Sequence, residues 1–133
     1  MKKIADSGLI IAALDRRDEH HVWARTVLER ESPPWLVCEA ALAEIAASIG
    51  SAEPVLEMLQ AGDLEIALEL GANTAEVLRL VKKYRDQRMD LADACVVRMS
   101  ELFDDSIVYT VDEKDFSVYR RHSRQPVRCI FPS

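Results

Sequence analysis

The sequence predicts an α/β fold: a parallel sheet with helices covering both faces. Short apolar segments of strand length alternate with longer segments of helical pattern along the whole chain. Strands separated by helices are joined by crossovers, which makes neighbouring strands parallel, buries the sheet on both sides and gives each crossover a right hand. At 133 residues the chain is long enough for one ordinary core and short for two, so one domain over residues 1–133 is expected.

The elements follow in order. A short strand over 3–5 leads into a helix over 8–14, and a second helix over 19–30 carries Val22, Trp23, Val27 and Leu28 on one stripe. The segment SPPW at 32–35 ends that helix. Trp35–Val37 reads as a second buried strand, and the alanine-rich EAALAEIAASI at 39–49 as a strong helix. Helix continues over 53–60, AGD turns, and LEIALE at 64–69 reads as a third strand. In GANTAEVLRLVKKYRD, Asn73 or Thr74 caps a helix with an apolar stripe of Ala75, Val77, Leu78, Leu80 and Val81. A helix from Asp90 to about Phe103, a fourth strand over 106–110, a short helix in DFSVYRRH and a fifth strand over 127–131 complete the pattern.

Composition removes several classes of function. Hydrophobic residues make up 49% and charged residues 30%, with four glycines and five prolines, so disordered and fibrous chains are excluded. The basic start and apolar run of MKKIADSGLIIAALDRR hold Asp6, stop at Asp15 and lack a small-residue cleavage site, which argues against a secretion signal. Nothing approaches the roughly 18 apolar residues of a membrane span. Cys38, Cys95 and Cys129 are odd in number and form no CxxC pair, as expected of buried thiols in a reducing cytoplasm, so neither zinc nor a disulfide is expected. The net charge of −6 should repel nucleic acid, because affinity for a polyphosphate comes largely from Lys and Arg replacing its counterions. A nucleic-acid function would therefore require positive charge from another source.

Several carboxylates suggest one. In open parallel sheets chemistry gathers beyond the carboxyl ends of the strands, and Asp6 and Asp112 directly follow the first and fourth. Asp6 also suits a helix N-cap. Glu44 lies mid-helix among alanines, leucine and isoleucine, where no cap is needed and acids are seldom buried unless paired or bound to metal. In MDLADACVVRM, Asp90 and Asp93 resemble a capping box, which is adequate for Asp90. The apolar sequel of Asp93 points it toward the sheet instead. Asp112 equally suits a turn, and Asp115 reads as the cap of the final short helix. Carboxylates that converge must take up protons or bind cations, and oxygen donors without Cys or His select Mg²⁺ or Mn²⁺.

The ordered set IADSG, LAEIA, LADACVV and YTVDEKDF resembles the PIN-domain ribonucleases, and within them the VapC-like toxins of bacterial and archaeal toxin–antitoxin pairs. The resemblance covers essentially the whole chain. It implies a three-layer α/β/α fold with a five-stranded parallel sheet in order 3-2-1-4-5, which places the first and fourth strands side by side. Carried over, Asp6, Glu44, Asp93 and Asp112 match the four acidic metal-site positions. Asp90 matches a less constant acid one turn earlier, and Ser7 and Thr110 match the hydroxyl residues beside the site. The turn carries Gly8 where many members carry Asn.

The family implies an endoribonuclease that hydrolyses phosphodiester bonds with one or two Mg²⁺ or Mn²⁺ ions and no covalent intermediate. It further implies a homodimer in the cytoplasm, held silent by a small antitoxin through which alone it would meet DNA. Lys83, Arg85 and Arg88 in RLVKKYRDQR precede the acidic helix and are candidates for RNA contact, although a solvated face explains them equally. Arg120, Arg121, Arg124 and Arg128 make the C-terminal region basic. Adjacent His20 and His21 point to different sides of a helix, favouring surface or stacking roles over metal. Two rival classes remain: a catalytically silent PIN-like module that binds RNA or protein, and a receiver-like signalling domain. The second leaves Glu44 without a role and lacks a second acid after the first strand.

Overall fold

Alternation with a period of two places successive strand residues in different cores. The computed structural model describes residues 1–133. In β1 (Lys2–Ala5), Ile4 enters one core and Ala5 the other; in β2 (Trp35–Val37), Leu36 joins Ile4 while Trp35 and Val37 join Ala5. β4 (Ser106–Tyr109) divides Val108 and Tyr109 in the same way. A five-stranded sheet with β3 (Leu64–Ile66) at one edge and β7 (Cys129–Ile130) at the other runs β3-β2-β1-β4-β7, all neighbours parallel. This is the expected order 3-2-1-4-5, because β5 (Arg120–Arg121) and β6 (Gln125–Pro126) form a separate antiparallel pair.

One sheet face is covered by α1 (Ser7–Leu14), α2 (His21–Arg30) and α4 (Glu53–Gln60), with Leu9, Ile10, Ala24, Val27 and Val55 in its core. The other is covered by α5 (Thr74–Lys83) and α6 (Leu91–Leu102), which bury Val77, Leu80, Ala94, Val96, Val97 and Met99. α3 (Glu39–Ile49) spans the two cores, sending Ala41 to one and Ile45 to the other. No helix is long and apolar enough to cross a membrane. Cys38 and Cys95 are buried, and Cys129 is half-buried.

The structure departs from the sequence reading in six places. β3 stops at Ile66 rather than 69, since β2 offers only Trp35, Leu36 and Val37 as ladder partners. After Ala67 N–H donates to the Val37 carbonyl (3.0 Å), Leu68 turns inward. The second helix starts at His21 rather than 19, because the Asp18 carboxylate accepts from His20 N–H (2.8 Å) and holds a turn there. Its inward stripe is Ala24 and Val27 with Trp23 and Leu28 packed against the same core, whereas Val22 is 77% exposed; Leu78 on α5 likewise faces solvent. Asn73 sits at the N-cap of α5 without capping it, because its side chain instead joins the Glu69 carbonyl to the Arg98 guanidinium, both at 2.9 Å.

The last departure bears on the site. The DFSVYRRH helix is only α7 (Glu113–Phe116), and the chain then extends into β5 and returns through β6, with His122 and Ser123 at positive φ. Buried anchors override the local pattern. Arg121 donates to the Ser100 carbonyl (2.7 and 3.1 Å) and to Asp104 (2.6 Å), and the buried Glu101 accepts from His122 N–H (2.6 Å).

Gly8 sits where a Cβ would lie 2.5 Å from Val111 Cγ2, on the link between β4 and α7. This contact excludes Asn at position 8 as long as Val111 stays in place. Gly8→Ala is expected to destabilise the protein by about 1–2 kcal/mol, overpacking being partly offset by alanine's better helix propensity. In a Val111→Ala background the same change should stabilise. Urea denaturation of the four proteins checks that reversal of sign.

Candidate metal centre

The register of β1 on β4 pairs Ala5 with Tyr109, so Asp6 and Thr110 leave the sheet side by side. β1 has β2 on its other side, so the chain diverges here in the way that opens a crevice at the strand ends. Asp6 N–H donates to the Tyr109 carbonyl (3.1 Å), fixing the backbone where the acid emerges. Asp6 N-caps α1: its Oδ1 accepts from Ser7 N–H (2.9 Å) and its Oδ2 from the Thr110 hydroxyl (2.7 Å). Thr110 Oγ1 in turn accepts from Asp112 N–H (3.0 Å). The Ser7 hydroxyl donates to Glu44 Oε1 (2.8 Å) from the facing helix α3. Both hydroxyls therefore tie acids to neighbouring elements.

The remaining acids enter from α6 and α7. Asp90 N-caps α6 by accepting from Asp93 N–H (2.8 Å), while its carboxylate lies beside that of Glu44. Asp112 N-caps α7 by accepting from Asp115 N–H (3.1 Å). This corrects the reading of Asp115 as the cap: Asp112 caps, and Asp115 contributes a carboxylate oxygen that lies with one from Asp93 and one from Asp112, all within 4.8 Å of one another. Asp6 feels the charges of Glu44 and Asp112, and Asp93 those of Asp90, Asp6 and Asp112. The structure thus brings Asp6, Glu44, Asp90, Asp93 and Asp112 to one crevice and adds Asp115.

A family model described as the PIN domain matches residues 3–121. The chain belongs to the PIN-domain family. It is also similar to Ribonuclease VapC26 of Mycobacterium tuberculosis (strain ATCC 25618 / H37Rv), 28% identical over an alignment of 123 residues that covers 88% of this chain and 91% of that protein.

The electrostatics of this PIN crevice are those of crowded like charges. Burial raises the pKa of Asp6 to about 6 and that of Asp93 to about 7; the donors Thr110, Ser7 and Tyr119 oppose the shifts, and the neighbouring acids add to them. Glu44 is raised by burial and by Asp90, and Asp115 by burial and by Asp112. The ion pairs of the protein, such as Arg98 with Glu101 and Arg121 with Asp104, lie elsewhere; Lys114 is near enough to Asp115 to oppose its shift but forms no ion pair with the cluster. An all-oxygen donor set with unneutralised charge fits a hard divalent cation.

Two contributors escaped the sequence reading. Tyr119, fully buried against Tyr84 and Phe116, donates its hydroxyl to Asp93 Oδ2 (2.9 Å) and so fixes that carboxylate. It lay in a segment read as helix, and a buried tyrosine's need for a polar partner was the available signal. Asp115 had a clearer one: Asp112-x-x-Asp115 repeats the spacing of Asp90-x-x-Asp93, with the first acid capping and the second facing the crevice. Among the basic candidates, Lys83 donates to the Ser123 carbonyl (3.1 Å) and tethers the hairpin, while Arg85 and Arg88 are exposed. Arg120 bonds the carbonyls of Ser117, Val118 and Tyr119, so it and Arg121 are engaged within the fold. His21 places Nδ1 2.7 Å from the Ala12 carbonyl, tying α2 to α1.

The raised acids make stability depend on pH. The unfolded chain loses these protons near 3.8, the folded chain only near 6 for Asp6 and 7 for Asp93, so between those values the native state holds more protons and loses stability as pH rises. In chelator, the melting temperature should fall between pH 4.5 and 7.5. Asp93→Asn should raise it at pH 7.5 by roughly 2–6 °C, a modest value because the group is partly solvated. Thermal unfolding checks this, and a less stable Asn variant at pH 7.5 would contradict it. Tyr119→Phe should weaken Mn²⁺ binding by roughly 10-fold, as measured by calorimetry, while leaving the aromatic packing and the circular-dichroism spectrum intact.

Proposed function

We propose that this protein is a metal-dependent endoribonuclease. The observation that carries the reading is the convergence of carboxylates from four separate elements on one crevice, with Asp93, Asp112 and Asp115 oxygens close enough to share an ion. Membership of the PIN-domain family and the likeness to a protein named as a ribonuclease support the same activity.

Asp6, Glu44, Asp93 and Asp112 would hold one or two Mg²⁺ or Mn²⁺ ions, with Asp90 and Asp115 at the edges. Bound there, such ions supply activation of water and stabilisation of the oxygen that leaves the phosphorus. The protein's own contribution is orientation. Thr110 and the Ser7 N–H fix the two oxygens of Asp6, the Ser7 hydroxyl fixes Glu44, and Tyr119 fixes Asp93, leaving the remaining oxygens turned to the crevice. Ser7 turns its hydroxyl to Glu44 as a supporting donor, and in this reading water attacks directly without a covalent intermediate.

Within this reading the protein is the toxin of a toxin–antitoxin pair. It would act in the cytoplasm as a homodimer, be silenced by a small antitoxin, and meet DNA only through that partner. Arg85 and Arg88, next to the acidic helix and exposed, are the cations best placed to follow an RNA backbone, with Lys83 beside them.

Purified protein should cleave single-stranded RNA internally with Mg²⁺ or Mn²⁺ and lose that activity in chelator. Folded Asp6→Asn and Asp93→Asn variants should lose more than the roughly 10–100-fold that removal of a supporting group costs. Full activity in both variants would end the proposal. RNA binding without metal and without cleavage would support the silent module instead.

A further inference from the structure

Beside the acids lies a cavity of about 490 Å³ that the metal chemistry does not use. Its apolar walls include Ala40, Leu68, Leu70 and Leu91, and Glu39 and Glu69 are among its lining residues. Leu70 and Leu91 are 39% and 48% exposed, so large apolar side chains face solvent at its mouth. The cavity adjoins the candidate metal centre through both helices that form it. Ala40 lies one turn before Glu44 on α3, and Leu91 directly follows Asp90 at the start of α6. Glu44 and Asp90 are themselves neighbours, so the acid cluster and the apolar cavity share that edge.

We propose that this cavity is a nucleobase subsite, which takes an unstacked guanine next to the bond to be cleaved and so sets the sequence preference. The inference rests on the nuclease reading and adds to it the determinant of specificity. Sequence-specific contact with RNA works on single strands, whose bases are splayed into apolar pockets and read along their hydrogen-bonding edges. The volume lies within the about 300–1,000 Å³ usual for small-ligand sites.

Charge selects what enters. Two exposed carboxylates repel phosphate, so the neutral base rather than the backbone belongs here. Carboxylates only accept, and guanine alone presents two adjacent donors, N1–H and the N2 amino group, that can meet one carboxylate bidentately. Uracil offers one N–H between two carbonyls that a carboxylate repels. Adenine and cytosine each set an amino group beside a ring acceptor.

Methyl NMR of the full-length, metal-free protein with each of the four nucleoside monophosphates tests binding without needing cleavage. GMP is expected to shift the Leu68, Leu70 and Leu91 methyls most, and the double variant E39Q/E69Q should lose that selectivity. Cleavage-site mapping on a randomised RNA should then show guanine at one fixed position from the cut, favoured by roughly 10–100-fold. L70W, which fills the mouth from an exposed position, should flatten this preference while cleavage persists. Methyls that ignore GMP, or respond alike to all four nucleotides, would overturn the proposal, as would an unchanged cleavage preference in L70W. Cleavage with no base preference sinks the subsite and leaves the nuclease standing, whereas GMP-selective shifts in a protein that cuts no RNA sink the nuclease reading. Response to a basic peptide in place of nucleotides would assign the cavity to a protein partner and overturn the proposal.

Discussion

Ala5 lies opposite Tyr109 on two parallel strands, and the acidic crevice depends on that register. A slip by one residue would turn Asp6 to the other face of the sheet, away from Thr110, and would move Ile4 and Ala5 into each other's cores. The apolar alternation that keeps β1 and β4 in place is therefore also what holds Asp6 within 2.7 Å of the Thr110 hydroxyl. The site inherits its precision from the core, since the residues that set the register, Ile4, Ala5, Val108 and Tyr109, are all buried.

The same arrangement carries a cost. Six carboxylates in one crevice oppose one another, and burial makes the opposition stronger than at a surface. The fold offsets part of this mainly with donors: two hydroxyls, a phenol and backbone N–H groups stabilise individual carboxylates without cancelling the net charge, and Lys114 acts on Asp115. A lysine or arginine here would relieve the strain and also fill the position of a divalent ion. No ion pair forms at this point, in a protein that forms them readily elsewhere, so the crevice keeps most of its negative charge.

Much of this was legible in the sequence because it is written in local signals. Strand–helix alternation was enough for a parallel α/β sheet, and β2, α3 and α4 fall on their expected residues. The adjacency of the first and fourth strands was not local, and it came from the family resemblance. What stayed hidden rests on contacts distant in sequence. Nothing near Arg121 announces that Ser100 and Asp104 will hold it extended, and without that hairpin Tyr119 has no reason to approach Asp93. Asp115 was misread for a different reason: two acids three apart can each be a cap, and only the backbone shows that Asp112 takes the cap and leaves Asp115 free. Gly8 likewise looked like turn chemistry until Val111 was seen against it.

The placement of basic residues bears on how an acidic protein meets a polyanion. Arg121 is buried in bonds to Ser100 and Asp104, Arg120 caps backbone carbonyls, and Lys83 and Arg79 hold the hairpin at Ser123. These cations stabilise the fold around the crevice and are poorly disposed to replace counterions along RNA. Arg85 and Arg88 stay exposed, but the net charge of −6 already counts them. In the proposed function, binding of phosphate at this surface would depend on cations recruited by the acids, so substrate affinity and catalysis would share one origin. On that proposal the crevice would attract RNA only when loaded, and the affinity of the acids for divalent ions would be the quantity through which the protein controls both.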